Sequence, residues 1–317
     1  MKDEEGKGMQ RIGDIVKAFV PRLPAFNTDF IPPEDIAYTH SIFLQCFMPL
    51  RHTLANSRRW QTNNRDASLV IRAGELVNPD KPNEFKECVV PAGPKARIIA
   101  AYINDFAWRH KTQEIDLGKS LRKFMDKADV KICGSNGREL QRELENFAAS
   151  EIILGAWNPG VSATQGSTKV GGVMSFWLEK NPEQRSFWQP HMVLGSDYYK
   201  AVIAGGHIAP IHWPSYIALQ ASPRAMDIHG YLTYRLRNPL RSPVHISVIE
   251  LHQMFGKDCK RLAHFVPRFK ADLLKAHEYY RTARVELTNE ADVTKRHLIL
   301  RSSPPLIPHR KVAYLGA

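Results

Sequence analysis

Gly93-Pro94-Lys95-Ala96-Arg97-Ile98-Ile99-Ala100-Ala101-Tyr102-Ile103 and Ser222-Pro223-Arg224-Ala225-Met226-Asp227-Ile228-His229-Gly230-Tyr231-Leu232 are two versions of one stretch. Pro-basic-Ala precedes Ile99, Tyr102 and Ile103 in the first and Ile228, Tyr231 and Leu232 in the second, at a constant offset: 223 − 94 = 129 and 231 − 102 = 129. A duplicated unit therefore organises the chain. Each copy opens a helix. In the second, Ser222 takes the N-cap position and Pro223 the first helical one, where its missing N–H costs nothing. Ile228, Tyr231 and Leu232 then define the buried face.

The same order follows both copies. A short alternating segment, Glu114-Ile115-Asp116-Leu117 or Pro243-Val244-His245-Ile246, reads as a strand. A second helix comes next, with Leu121, Phe124, Met125 and Ala128 on its face in the first copy and Leu251, Met254 and Phe255 in the second, the latter opened by the capping box Ser247-Val248-Ile249-Glu250. After a glycine turn, a third helix follows Asn136 and Gly137 with Leu140, Leu144, Phe147 and Ala148 inward; its counterpart turns Leu262, Phe265, Val266, Phe269 and Leu273 inward. Strand pairs close both copies. Ile152-Ile153-Leu154 is expected to face Met174–Leu178 and Phe187–Leu194 across a Gly-rich loop from Gly155 to Gly172, and Arg284–Leu287 to face His297–Arg301. Helix, strand, helix, helix, hairpin is a winged helix-turn-helix, so the expected fold is α+β with two tandem winged-helix domains. Ile42–Leu50 and Ser68–Leu76 read as additional strands on the first. The expected divisions are a loose leader over 1–32, units over 33–206 and 207–303, and a tail over 304–317.

Composition bounds the function. The 317 residues are 43% hydrophobic and 24% charged, enough to build a core. With 44 Lys plus Arg against 32 Asp plus Glu, the net charge of +12 favours a polyanionic partner. The opening residues lack an apolar run and no membrane-spanning stretch occurs, so a cytoplasmic location is expected. Cys46, Cys88, Cys133 and Cys259 are scattered, which reads as reduced, mostly buried thiols rather than a zinc site or a disulfide framework.

Enzymatic motifs fail one by one. Gly118-Lys119-Ser120 lacks the glycine that a phosphate-binding loop needs, Gln113 standing in its place. His207 and His212, on a Pro-rich loop, have no metal-binding spacing. Tyr198-Tyr199 and Tyr279-Tyr280 lack the metal-binding histidine pair of a rolling-circle nuclease and read as packing residues. No nucleophile elbow appears. No cofactor, metal or catalytic residue is expected.

Charge separates the two third helices. Asn136–Glu151 holds Arg138 and Arg142 against Glu139, Glu143, Glu145 and Glu151, or 2 − 4 = −2, which should repel a duplex. Lys257–Arg284 holds eight cations against three carboxylates, or +5. Lys257, Lys260, Arg261, His264, Arg268 and Lys275 fall on one side of a helical wheel, with Lys270 in the same run, opposite the apolar set. Pro267 interrupts that helix unless it lies in the first turn, so the helix is expected to begin near His264, with Lys257–Arg261 in the turn before it. Lys295 and Arg296 would belong to a wing. Arg51, Arg58, Arg59 and Arg65 around Trp60 form a second basic stretch, on an expected loop, with Arg58, Arg59 and Arg65 as additional candidate DNA contacts.

Gly93–Asn104, then Glu114-Ile115-Asp116-Leu117-Gly118-Lys119-Ser120-Leu121, Asn136-Gly137-Arg138, Asp227–Arg235 and Ala283-Arg284-Val285-Glu286-Leu287 together resemble the RepA-type plasmid replication initiators of proteobacteria, from about residue 40 to the Pro304-Pro305 pair. The resemblance implies a non-enzymatic initiator that binds repeated sites, iterons, in double-stranded plasmid-origin DNA, promotes melting and recruits host replication proteins such as the replicative helicase and initiator. It further implies homodimers that repress the initiator's own promoter. On this reading the 207–303 unit binds iterons, while the 33–206 unit dimerises and contacts backbone. Pro267 and the long Gly-rich loop depart from the family pattern. A winged-helix transcriptional repressor without origin opening, an origin-nicking or priming enzyme and a module for an acidic protein remain as alternatives.

Overall fold

A computed structural model describes residues 31–309 apart from 53–57, 66, 79–80, 82, 119–125, 127–133, 159–161 and 176–190. The chain divides into two compact units, one of Ala37–Ala209 with Gln220–Pro223, the other of Pro210–Leu219 and Arg224–Ala317 with the residues before Ala37. The expected helix over Leu121–Ala128 lies, but for Asp126, outside the described residues, as do nearly all of the leader and the end of the tail.

In the first unit, helix Gly93–His110 starts at the duplicated stretch and buries Ala96, Ile99, Ile103 and Ala107. Strand Glu114–Asp116 and helix Gly134–Ala149 follow. Leu140, Leu144, Phe147 and Ala148 are buried as their spacing predicts. This helix begins at Gly134, so Asn136 and Gly137 lie inside its first turn rather than before it.

Two sheets complete this unit. Glu114–Asp116, His191–Leu194 and Gly171–Ser175 form a three-stranded antiparallel sheet with His191–Leu194 in the centre. The expected partnership of Ile152–Leu154 with those strands is corrected. Strand Glu151–Asn158 belongs to the other sheet, between Ala67–Arg72 and Ser162–Lys169, with Arg59–Asn64 on the far side of Ala67–Arg72. Most of the supposed Gly-rich loop is therefore hairpin: its serines and threonines, Thr168 for one, suit a strand as well as a loop. Ser68–Leu76 does contain strands, whereas Ile42–Leu50 does not. Ser41–Leu44 is a 3₁₀ turn, held because the His40 ring Nδ1 accepts from the Ile42 N–H at 3.1 Å, and the strand is Ile36–His40 before it.

The second unit follows the predicted order closely. Helix Pro223–Arg235 leads to strand Val244–Ser247, helix Val248–Phe255, helix Leu262–Glu278 and strands Arg284–Leu287 and His297–Arg301. The last strand is central, pairing Leu300 with Val244 and with Val285. This is the strand order of the three-stranded sheet in the first unit, so the duplication read in sequence recurs as topology. Ile246, Leu251, Phe255, Phe265, Phe269, Leu273 and Leu298 fill the core beneath the sheet. Tyr198 and Tyr280, one in each unit, are fully buried, as packing residues should be.

The capping box at Ser247 is formed in both directions: its hydroxyl accepts from the Glu250 N–H at 3.2 Å, and the Glu250 carboxylate accepts from the Ser247 N–H at 2.8 Å. Ser247→Ala is expected to cost about 1 kcal/mol, measured as a lower midpoint in urea with unchanged slope.

Candidate nucleic-acid interface

Helix Leu262–Glu278 is built around an apolar stripe. Phe265, Val266, Phe269, Leu273 and Ala276 are buried, while Leu262 is half-buried. The Phe269 ring lies 5.5 Å from Phe255 and 5.3 Å from Phe265. The opposite side exposes Ala263, His264, Pro267, Arg268, Lys270, Ala271 and Lys275. Pro267 stands in the second turn on this outward side, so the backbone bond it forgoes is lost toward solvent, and the helix continues through it to Glu278.

The helix starts two residues before the expected His264. Arg261 is its N-cap, its carbonyl accepting from the His264 and Phe265 N–H groups at 3.1 Å. Lys257 and Lys260 lie in the preceding turn, as the position of Pro267 led us to expect, so the helical wheel does not apply to them, and turn and helix share the basic surface. Side chains from the helices on both sides fix this turn. The His252 ring Nε2 lies 2.6 Å from the Cys259 carbonyl oxygen, and the Cys259 N–H donates to Gly256 at 2.8 Å. Gly256 has to be glycine, because a Cβ there would stand 2.5 Å from the His252 ring and 2.7 Å from Phe265.

Electrostatically the surface is unbalanced. Lys257, Lys260, Arg261, His264, Arg268, Lys270 and Lys275 are all exposed. Among the described residues, Lys260, Arg261, His264 and Lys270 have no carboxylate within ion-pair distance; Lys275 reaches Asp272 at 3.1 Å, and Arg268 Nη1 donates to Cys259 Sγ at 3.6 Å. Several of these cations crowd the positive end of a helix dipole, an arrangement that an incoming anion relieves.

The hairpin of the same unit adds two more. Lys295 is exposed in the 3₁₀ turn Val293–Lys295, which Asp292 caps through the Thr294 N–H at 2.9 Å. Arg296 is half-buried; its Nε donates to the Glu290 carbonyl at 2.7 Å, and its own carbonyl accepts from the Val248 N–H at 2.9 Å, tying the hairpin to the start of helix Val248–Phe255.

The other candidates lie in the first unit. Arg58 is held between Glu75 at 3.2 Å and Glu87 at 3.0 Å, so its charge is largely met. Arg59 sits on a strand, not a loop, and donates to the Gln61 side chain at 2.8 Å; Arg65 occupies the following turn with φ 47°. His207 precedes strand Ile208–His212 and His212 ends it, so the expected loop is a strand; His212, which belongs to the second unit, has its Nδ1 2.6 Å from the Ser215 hydroxyl.

Sequence reasoning missed the carboxylates that organise both third helices. Lys95 pairs with Glu139, and Arg224, its counterpart 129 residues on, pairs with Asp272 at 3.3 Å. The basic residue of each duplicated Pro-basic-Ala stretch thus ties the first helix of its unit to the third, a signal that was visible in the repeat. The acidic helix spends its other charges within its unit as well, Glu143 on His52 at 2.6 Å and the Ala92 N–H at 2.9 Å and Glu145 on Lys86 at 2.6 Å, while Glu151, which opens the following strand, pairs with Arg72 at 3.3 Å. Counting only that helix's own residues therefore overstated its repulsion of a duplex.

Among the described residues no helix is long and apolar enough to cross a membrane. Cys46, Cys88 and Cys259 are buried free thiols; Cys133 lies outside the described residues.

This is an α+β protein of two units, one of which carries a basic helix and turn. Residues 90–242 match the family described as plasmid encoded RepA protein, in agreement with the sequence resemblance. No curated protein matches the chain. Among solved structures, selenomethionine derivatives of domains 2 and 3 of RctB are similar, at 10% identity and a TM-score of 0.42, covering 83% of this chain and 98% of that one. Another structure of RctB domains 2–3 aligns at 10% identity and a TM-score of 0.37, covering 82% and 95%.

Proposed function

We propose that this chain is a plasmid replication initiator that binds iteron repeats of its origin through the Lys257–Arg261 turn and the outward face of helix Leu262–Glu278, with Lys295 and Arg296 on an adjacent wing. Each unit is then a winged helix; the first dimerises and adds backbone contacts. The bound protein promotes local melting, recruits host replication proteins such as the replicative helicase and initiator, and represses its own promoter. It works in the bacterial cytoplasm without metal, nucleotide or catalysis of its own.

What carries this reading is the group of exposed residues Lys260, Arg261 and Lys270, with no carboxylate within ion-pair distance among the described residues, in a chain whose 90–242 segment is RepA-like. A surface of that charge density gains its affinity from phosphate neutralisation.

Fluorescence anisotropy on the chain's own upstream intergenic DNA and on scrambled DNA, at several salt concentrations, tests it. If about six phosphates are engaged, log affinity falls against log salt with a slope near −5, and the upstream repeats are preferred. Equal, weak binding to both DNAs would overturn the reading in favour of an acidic protein partner. Permanganate footprinting separates an initiator from a repressor of the same architecture, since only the initiator exposes unstacked thymines. Metal-dependent cleavage of a supercoiled origin plasmid would reinstate a nicking enzyme.

A further inference from the structure

Arg224 is the second residue of helix Pro223–Arg235, and its side chain is only 6% exposed. Its guanidinium makes three directed bonds. Nε donates to the carbonyl of Phe255, the last residue of helix Val248–Phe255, at 3.0 Å. Nη2 donates to Asp258 Oδ1 at 2.5 Å, inside the basic turn, and Nη1 to Asp272 Oδ2 at 3.3 Å, on helix Leu262–Glu278. The Phe265 ring centroid lies 5.9 Å from the same group. One side chain thus grips the helix before the turn, the turn and the helix after it.

From this geometry we infer that Arg224 is a positioning residue for DNA recognition. Acting through Asp258 and Asp272, it presets the angle at which Lys257, Lys260, Arg261 and Arg268 meet a duplex. The inference rests on the DNA-binding reading above. Three acceptors in different directions suit the planar fork of arginine and not the point charge of lysine. A turn held before binding also spares the cost of ordering several long cationic side chains on contact. The duplicate unit provides the contrast: Lys95, at the equivalent position, ties its first helix to Glu139 on the third.

Asp258→Ala gives positioning and simple electrostatics opposite signs. Removing a carboxylate from beside the basic turn makes the surface more positive by one charge, so if Asp258 acted only through its charge, the variant would bind DNA more tightly. If it is the handle by which Arg224 holds the turn, affinity for the upstream repeats falls at least fivefold. The salt slope stays that of the wild type because every cation remains. Arg224→Lys, which keeps the charge and loses the fork, is expected to behave in the same way. Both variants are measured at a temperature where circular dichroism shows them folded, beside Lys260→Ala, which should reduce the salt slope by about one. Asp258→Ala binding as tightly as wild type or better would overturn the positioning role. Absence of any preference for the upstream repeats in the wild-type protein would instead refute the DNA-binding reading on which it rests.

Discussion

Arg261→Ala combined with Arg268→Ala is expected to weaken binding on every duplex, specific or scrambled, by roughly 30- to 140-fold, taking about 1–1.5 kcal/mol for each lost phosphate contact. Both side chains are exposed, and neither has a carboxylate partner among the described residues. The fold should therefore barely notice the change, with a stability effect within about 0.5 kcal/mol. The salt slope should fall by roughly 1.8, twice the 0.9 expected per phosphate. Arg58→Ala provides the contrast. Its guanidinium already serves Glu75 and Glu87, so its loss should leave affinity and slope nearly unchanged. A double variant that retains full affinity for the upstream DNA would move the interface elsewhere on the molecule.

The distinction between Arg261 and Arg58 marks what can be read from residues in order. Both sit in basic stretches and look alike in one dimension. Their difference arises from Glu75 and Glu87, brought to Arg58 by the antiparallel pairing of Glu75–Val77 with Phe85–Glu87, a contact no local pattern encodes. The second unit was legible because its signals are local and agree. The Ser247 capping box, the apolar spacing of Phe265, Phe269 and Leu273 and the alternation of Val285, Leu298 and Leu300 all point the same way. The first unit misled where its extra sheet intervenes. Ile152–Leu154 is apolar enough to join either sheet, and register with Leu69–Ile71 decides which, through pairing across more than eighty residues. Helix Leu262–Glu278 shows the same limit on a smaller scale. Pro267 was expected to delay the helix start, yet the burial of Phe265 and Phe269 sustains a turn before it, and tertiary packing outweighs the proline penalty.

Acid should unfold this protein through its buried histidines before its carboxylates are fully protonated. His229, in the second unit, is completely enclosed; burial first, and then the nearby His212, lowers it from the ordinary histidine value of 6.5 to about 3. His40, in the first unit, is lowered to about 4 by burial and then by His207. Burial pushes His212 and His277 down as well. All four share one sign. Each takes up a proton more readily in the unfolded chain than in the folded one, so their stabilising contribution is complete above about pH 6.5 and is lost as pH falls toward the folded values. At pH 4.5, two pH units below the unfolded value, His229 and His40 should each cost on the order of 2–3 kcal/mol, at about 1.4 kcal/mol per unit. Glu139 and Glu151, held below the ordinary carboxylate range by Lys95 and by Ser167, add their own loss only as pH falls further. Urea midpoints measured at pH 7 and pH 4.5 should therefore differ widely. His229→Leu, which puts an apolar group of similar size at the same buried position, should recover the part of that difference due to this ring while changing the pH 7 midpoint far less. Equal midpoints at the two pH values, or a His229→Leu protein as acid-sensitive as the wild type, would show that His229 is not the group through which acid opens the second unit.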